Sequence, residues 1–188
     1  IYHRVHRGEL KRHRVVEAEA GGTEARALVG SGRATLGTEV VIVNPESLRR
    51  SAPDEVGEIW VSGPGVAAGY WNRPEETERT FRARLPERGE GPYLRTGDLG
   101  FVRDGELFVT GRLKDLIIIR GRNLYPHDIE RAVEQCHAAL RQGGGAAFSV
   151  EIEGEERLVL AQEVEPSRRK EAPAVIEAIR AVLAEEFE

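Results

Sequence analysis

The sequence predicts an α+β protein, in which a distorted, β-barrel-like subdomain precedes a small α+β domain. Short runs of β-branched residues recur between Gly- and Pro-marked turns in the first part of the chain, a spacing typical of all-β sandwiches and barrels. After Gly111 the pattern changes to strand, helix, hairpin and helix, which indicates a unit built around one sheet. We therefore predict domains at 1–111 and 112–188.

The strands predicted in the first domain lie at 39–43, 56–62, 93–94, 101–102 and 107–110, and one short helix lies at 75–81 after Pro74. The pair Gly97-Asp98 is predicted to form a tight turn, and Asp104-Gly105 to close a hairpin. Residues 1–32 are polar and weakly patterned, and we interpret the basic first fourteen as a solvated segment rather than a phosphate or acidic-partner patch. His3, His6 and His13 lack a recognisable metal-ligand spacing.

The second domain is predicted to start with a buried strand at 116–119. Pro126 then opens a helix that ends at Gly143–Gly145, with an apolar stripe of Ile129, Val133, Cys136 and Leu140. A hairpin that turns at Gly154 follows, with Phe148, Val150 and Ile152 on its buried face. Pro173 opens the last helix, whose core side carries Val175, Ile179 and Leu183.

Composition excludes several classes of protein. The net charge of −5 gives no reason to expect nucleic-acid binding, and no apolar run approaches the length of about 20 residues that spans a bilayer. The single cysteine, Cys136, precludes an internal disulfide framework and indicates a reducing, cytoplasmic compartment. The chain begins with Ile1 and ends in a helical pattern without a stop signal, so we expect a piece of a longer protein, cut at both ends.

Three polar residues lie close together near the domain boundary. The Asp98 carboxylate offers two acceptor oxygens that match the two adjacent hydroxyls of a ribose, although a turn Asp often bonds its own backbone. The Arg112 guanidinium suits a ribose or phosphate oxygen, or a structural ion pair at the boundary. Lys114 lies where we place a hinge, or is simply an exposed lysine. Gly121 would let backbone approach a ligand, and Arg120 and Arg122 would meet a phosphate or stay solvated.

Four stretches together resemble the adenylate-forming superfamily of acyl- and aminoacyl-activating, AMP-binding enzymes. They are the Gly-Glu-Ile strand and the Gly-Tyr-Trp turn in GEIWVSGPGVAAGYWNRPEET, the Thr-Gly-Asp motif in YLRTGDLG, and the hinge with the first motif of the small domain in GRLKDLIIIRGRNLYPHDIE. Within the superfamily the chain looks most similar to the fatty acyl-AMP ligases. The resemblance implies that 1–111 is the rear part of a large N-terminal AMP-binding domain. It implies that 112–188 is part of a small C-terminal domain, with a hinge near 112–115.

The resemblance also implies a reaction and its partners. A fatty acid would be activated with ATP, with Mg²⁺ expected, to give an acyl-adenylate. The acyl group would then pass to the phosphopantetheine thiol of an acyl carrier protein, commonly of a polyketide or lipopeptide assembly line. A fatty acyl-coenzyme A ligase and a non-catalytic module that binds a carrier protein are the alternatives.

Roles carry over residue by residue from the same resemblance. Asp98 would hold the ribose hydroxyls, Arg112 would contact the ribose or phosphate, and Val109 would line the nucleotide pocket. Lys114 would be the hinge, and Gly121, Arg122 and Asn123 would form the loop used in acyl transfer.

No catalytic residue is assigned. The family's phosphate-binding loop is not in this chain, and the last lysine, Lys170 in SRRKEAP, does not match its adenylation lysine. We therefore expect these 188 residues alone to be inactive.

Overall fold

The computed structural model divides into two compact units, Ile1–Lys114 and Asp115–Glu188. It describes residues 1–19, 21–22, 24–35, 37–87, 89–119, 121–152 and 155–187. Arg120 and the turn predicted at Gly154 lie outside these residues. Within the described part, no helix is long and apolar enough to cross a membrane.

A strand pair that the sequence did not predict opens the first unit. Strand β1 (Tyr2–His6) leads into the short helix α1 (Arg7–Leu10) and pairs antiparallel with β2 (Ala25–Val29). Val5 and Leu28 are buried. Because successive strand residues face opposite sides, one inward residue among polar neighbours leaves little periodicity to read. The weak patterning of residues 1–32 therefore concealed a strand pair that the sequence analysis did not predict.

One antiparallel sheet dominates the first unit, in the order β3-β4-β5-β6. Its elements, with the helix that precedes β5, are β3 (Glu39–Val43), β4 (Gly57–Ser62), α2 (Pro74–Phe81), β5 (Leu94–Arg103) and β6 (Glu106–Arg112). The α+β class is confirmed, and so are the first two predicted strands and the helix. The described strands do not close into a barrel, since β3 and β6 stay at opposite edges of a four-stranded sheet, and four strands are too few to enclose a core.

The hairpin between β5 and β6 is confirmed, but the turn before it is not. Asp104 and Gly105 have φ values of 53° and 77°, the left-handed pair that suits a two-residue hairpin. In contrast, the pieces predicted at 93–94 and 101–102 belong largely to one strand, β5, that runs through Gly97 and Asp98. The ladder shifts register beside these two residues, so they form a bulge and not a turn.

Aromatic side chains fill much of the first unit's core. Phe101 and Phe108 are register partners on β5 and β6, and their rings stack with centroids 5.2 Å apart. Trp60 and Tyr93 form a second cluster, which is completed by Val41, Val43 and Leu85. Burial of these aromatic and aliphatic side chains is the main source of stability for the sheet.

The second unit has the predicted sequence of strand, helix, hairpin and helix. Its elements are β7 (Ile117–Ile119), β8 (Arg122–Leu124), α3 (Pro126–Cys136), β9 (Leu140–Ile152), β10 (Glu155–Val164) and α4 (Ala172–Phe187). Strands β7 and β8 pair with each other, as do β9 and β10. The predicted core side of α4 is confirmed, because Val175 is buried and Ile179 and Leu183 pack against the same cluster.

Helix α3 is shorter than its apolar stripe predicts. It ends at Cys136, and Leu140 begins β9, so Gly143–Gly145 lie inside a strand and do not end the helix. Leu140 is nevertheless buried in the same cluster as Ile129. A core residue that happens to continue the helical spacing extended the predicted stripe past the true end.

The hairpin of the second unit buries the face opposite to the predicted one. Phe148 and Ile152 are each 44% exposed, whereas Ala147 is buried beside Leu160, its register partner. Small Ala147 carries no strong hydrophobic signal, so the larger residues of the other face dominate the pattern. The isoleucine strand is also only half-buried, with Ile117 inside and Ile118 49% exposed.

Candidate functional site

Two predicted site residues meet across neighbouring strands of the first unit. Asp98 of β5 and Arg112 of β6 are register partners, and Arg112 Nε donates a hydrogen bond to Asp98 Oδ1 at 2.9 Å. The side chains are 38% and 53% exposed, respectively. An ion pair with this much solvent contributes only about 0–1 kcal/mol to stability, so a ligand can replace it at little cost.

The pair leaves binding capacity on both side chains. Arg112 Nε engages one of the two oxygens of Asp98, and a carboxylate has lone pairs for about four hydrogen bonds. A guanidinium has five N–H donors. The arrangement therefore offers acceptors and permanently charged donors at one exposed position, as recognition of hydroxyls beside an anion requires.

A bulge in β5 presents the Asp98 side chain. Glu58 pairs with Leu99 and Trp60 with Arg95, so between these pairs β4 has only Ile59, whereas β5 has three residues, 96–98. Gly97 takes a φ of +74°, in the left-handed region that glycine adopts without steric cost. The extra residues locally break the ladder and turn Asp98 toward β6.

Polar contacts from β4 hold this bulge in place. The buried Glu58 carboxylate accepts hydrogen bonds from the Arg95 guanidinium and from the Gly97 backbone amide. The Thr96 hydroxyl donates to the Ile59 carbonyl at 2.7 Å. From the sequence, Glu58 belongs to the Gly-Glu-Ile strand but has no assigned role. A charged residue inside an otherwise apolar strand was the available signal.

Val109 lies on the exposed side of β6. Its side chain is 42% exposed, while the neighbouring Phe108 and Thr110 are buried. An apolar side chain left accessible on a strand suits the flat face of a ligand ring.

Lys114 is the last residue of the first unit. It lies in a one-turn 3₁₀ helix, Leu113–Asp115, and its side chain is exposed. A short turn with an exposed cation is a segment in which backbone angles can change without disturbing a core.

The predicted acyl-transfer loop is only partly a loop. Gly121 has a φ of +72°, but Arg122 and Asn123 belong to strand β8 and pair with β7. Arg122 Nη1 donates to the Phe187 carbonyl at 3.2 Å, at the end of α4. A cation at a helix C-terminus is stabilising, so Arg122 has a structural role in the second unit.

The other residues that bear on chemistry are the possible metal ligands and Cys136. Among the described residues, no three His, Cys, Asp or Glu side chains cluster as a metal site would require. Cys136 packs against the core of the second unit. Burial raises the pKa of its thiol, which lowers the fraction of reactive thiolate.

Comparison with known proteins gives the class of protein. Residues 15–71 match the model of the family described as AMP-binding enzymes, and relatives of that family align with most of the chain. The chain belongs to the AMP-binding, adenylate-forming enzymes.

Two relatives show which members of this family the chain resembles. The chain is 57% identical over 163 residues to the medium-chain-fatty-acid–[acyl-carrier-protein] ligase JamA of Moorena producens, covering 86% of this chain and 28% of that protein. It is 42% identical over 156 residues to the long-chain-fatty-acid–AMP ligase FadD32 of Mycolicibacterium smegmatis, covering 78% and 25%. The chain therefore spans only about a quarter of the length of these curated relatives.

The chain is also similar to solved structures of fatty acyl-adenylate ligases. A structure from work on fatty acyl-adenylate ligases of E. coli and L. pneumophila matches all of this chain and 32% of its own, with a TM-score of 0.81 and 32% identity. The similarity covers backbone as well as sequence.

Proposed function

We propose that the protein acts as a fatty acyl-AMP ligase, which uses ATP to convert a fatty acid into an acyl-adenylate and passes the acyl group to an acyl carrier protein. The observation that carries the proposal is the exposed Asp98–Arg112 pair. It is supported by the 57% identity to an enzyme named as a fatty acid–carrier protein ligase.

The pair suits the nucleotide of ATP and of the acyl-adenylate. Asp98 accepts hydrogen bonds from the two ribose hydroxyls, each worth about 1.5–3 kcal/mol when an ionised group takes part. Arg112 donates to the ribose or to a phosphate oxygen. Val109 packs against the nucleotide from the same strand as Arg112. In the free protein the ion pair keeps both side chains near their binding positions, which reduces the ordering cost on binding.

The remaining roles follow the same proposal. Residues 1–111 form the rear of the large AMP-binding domain and 112–188 part of the small domain, with Lys114 in the hinge. The boundary between the compact units lies after Lys114, three residues beyond the predicted one, because strand β6 of the first unit continues through Arg112. Gly121–Asn123 border the path of the phosphopantetheine arm, with the Gly121 turn as the point of close approach. ATP is used with Mg²⁺, as expected for phosphate chemistry.

Transfer of the acyl group to each of two alternative acceptors, measured separately, tests the proposal. The full-length gene product is given ATP and a fatty acid, together with either a phosphopantetheinylated carrier protein or coenzyme A. We expect an acyl-adenylate and pyrophosphate, and then a carrier-protein thioester formed at least about tenfold faster than the coenzyme A thioester. Failure to form an acyl-adenylate from any fatty acid would contradict the proposal.

A fatty acyl-coenzyme A ligase is the second candidate. A relative named as a putative fatty-acid–CoA ligase, fadD21 of Mycobacterium leprae, is 46% identical over 140 residues. The same experiment separates the two, because equal or faster transfer to coenzyme A would favour this second function.

A further inference from the structure

Glu58 is buried in the strand beside the site and contacts the backbone from which Asp98 projects. We infer that Glu58 is a positioning residue for nucleotide binding, which acts by holding the β5 bulge so that Asp98 faces the ribose. The inference rests on the proposed ribose role of Asp98.

The Glu58 carboxylate contacts strand β5 at two points, one in the bulge at Gly97 and one just before it at Arg95. Its side chain is 2% exposed. Arg95 Nη2 donates to Oε2 at 2.8 Å and Arg95 Nε to the same oxygen at 3.1 Å, while the Gly97 amide donates to Oε1 at 3.2 Å. A buried carboxylate is unfavourable unless it is fully paired. Any movement of Arg95 or Gly97 away from Glu58 therefore leaves a charge without its partners.

Arg95 is itself fixed in direction. Its guanidinium lies 5.4 Å from the ring centroid of Trp60, and Trp60 is 1% exposed within the core. A guanidinium stacked on a rigid aromatic face presents its planar fork in one orientation. The strand is thus fixed immediately before the bulge.

Thr96 extends the connection to Asp98. The Thr96 hydroxyl donates to the Ile59 carbonyl at 2.7 Å and accepts from the Asp98 amide at 3.0 Å. Strand β4 therefore restrains all three bulge residues. Glu58 holds the Gly97 amide, and the Ile59 carbonyl holds the Thr96 hydroxyl, which in turn holds the Asp98 amide. The Asp98 carboxylate remains on the β6 side, where Arg112 contacts it.

This network replaces the ladder that the bulge removes. Extra residues in a strand lose their regular hydrogen bonds, and an unrestrained backbone would have to be ordered when the nucleotide binds. Loss of the Glu58 charge should therefore weaken ATP binding without slowing the chemical step.

A double-mutant cycle tests the inference in the full-length gene product, with KM for ATP and kcat of acyl-adenylate formation as readouts. We expect E58Q to raise KM about fivefold, with kcat changed less than twofold. In the Asp98→Ala background, E58Q should change KM less than about twofold, because the residue through which it acts is gone. A purely structural role would give the same factor in both backgrounds, and that result would overturn the inference.

Glu106 provides the matched control. It is also buried, at 7% exposure, and accepts a backbone amide, that of Gly32, at 2.8 Å. E106Q should lower the melting temperature about as much as E58Q does but change KM for ATP less than about twofold. An equal rise in KM for both variants would also overturn the inference.

Two further outcomes are distinguishable. If Asp98→Ala alone leaves KM for ATP unchanged, the ribose role in the proposed function fails, and the positioning role fails with it. If Asp98→Ala raises KM but E58Q does not, only the positioning role is overturned.

Arg95→Lys replaces E58Q in the cycle if E58Q does not fold. It keeps the charge that neutralises Glu58 but loses the planar fork of the guanidinium, and we expect its effect on KM to depend on Asp98 in the same way.

Discussion

Arg112 donates from its Nε to Oδ1 of Asp98 across 2.9 Å, although the two residues are 14 positions apart in the chain. Strand pairing brings them together, because they are register partners on β5 and β6. Each side chain therefore orients the other before a ligand arrives. In the proposed function the ribose and phosphate replace part of this contact.

Replacement of Arg112 should weaken nucleotide use in proportion to the hydrogen bonds lost. We expect R112A to raise KM for ATP about tenfold or more, measured as pyrophosphate release in the full-length gene product. R112K should recover only part of this loss, since an ammonium keeps the charge without the planar fork. Equal KM values for R112A and the unmodified protein would contradict the nucleotide-binding role.

Gly97 should be sensitive for conformational reasons alone. Its φ is +74°, and a Cβ built there meets no atom within 4 Å, so G97A adds backbone strain of about 1 kcal/mol without a clash. We expect a matching loss of stability in a denaturant titration and a higher KM for ATP.

Gly143 is the matched control for G97A. It has a φ of +68° and the same open space around a built Cβ, but lies in the second unit. G143A should lose similar stability with no change in KM. A rise in KM for G143A as large as that for G97A would show that general destabilisation, and not the bulge, controls nucleotide binding.

Lys114 should affect one half-reaction more than the other. Proline fixes φ near −65°, so K114P should hinder a hinge motion and slow acyl transfer to the carrier protein at least about tenfold more than it slows adenylation. Adenylation is followed by ATP–pyrophosphate exchange and transfer by single-turnover loading. K114A, which keeps backbone freedom, should affect neither strongly. Equal losses of both activities in K114P would count against the hinge.

His13 should make the first unit less stable at mildly acidic pH. Burial lowers the pKa of His13 below 6.5, and the nearby Glu46 opposes this only in part. The unfolded chain therefore takes up the proton first, and stability is lost as pH falls through 6.5 toward the folded-state pKa. H13N removes this group, and asparagine tolerates the left-handed backbone found there, with a φ of 57°. Between about pH 8 and pH 5, H13N should lose less melting temperature than the unmodified protein. Identical losses would contradict the expected shift.

Much of the fold was predictable because its signals are local. The β-branched run of β3, the Pro74 and Pro126 helix starts and the Asp104-Gly105 hairpin are each encoded within a few residues. The features that were not predicted have a common cause, because they depend on tertiary contacts and not on local sequence. Strand β1 shows one buried residue among polar neighbours, and Leu140 continues a helical spacing although it begins a strand.

The residues of the candidate site could be proposed from the sequence, but their geometry could not. Motif resemblance selected Asp98 and Arg112, whereas their contact depends on strand register, which spacing alone does not specify. The bulge at Gly97 was mistaken for a turn, because a glycine with positive φ serves both. A charged residue in an apolar strand marked Glu58 as unusual, but its role was not readable locally, because its partners Arg95 and Gly97 are 37 and 39 residues away.

Recognition of the ribose by Asp98 is the central contact of the proposed function, and 2′-deoxy-ATP tests it by removing one hydroxyl. For the unmodified full-length gene product, we expect kcat/KM for acyl-adenylate formation to fall about tenfold or more when 2′-deoxy-ATP replaces ATP. In D98A the same replacement should cost less than about twofold, because the acceptor for that hydroxyl is already gone. An equal preference for ATP in both proteins would contradict the account.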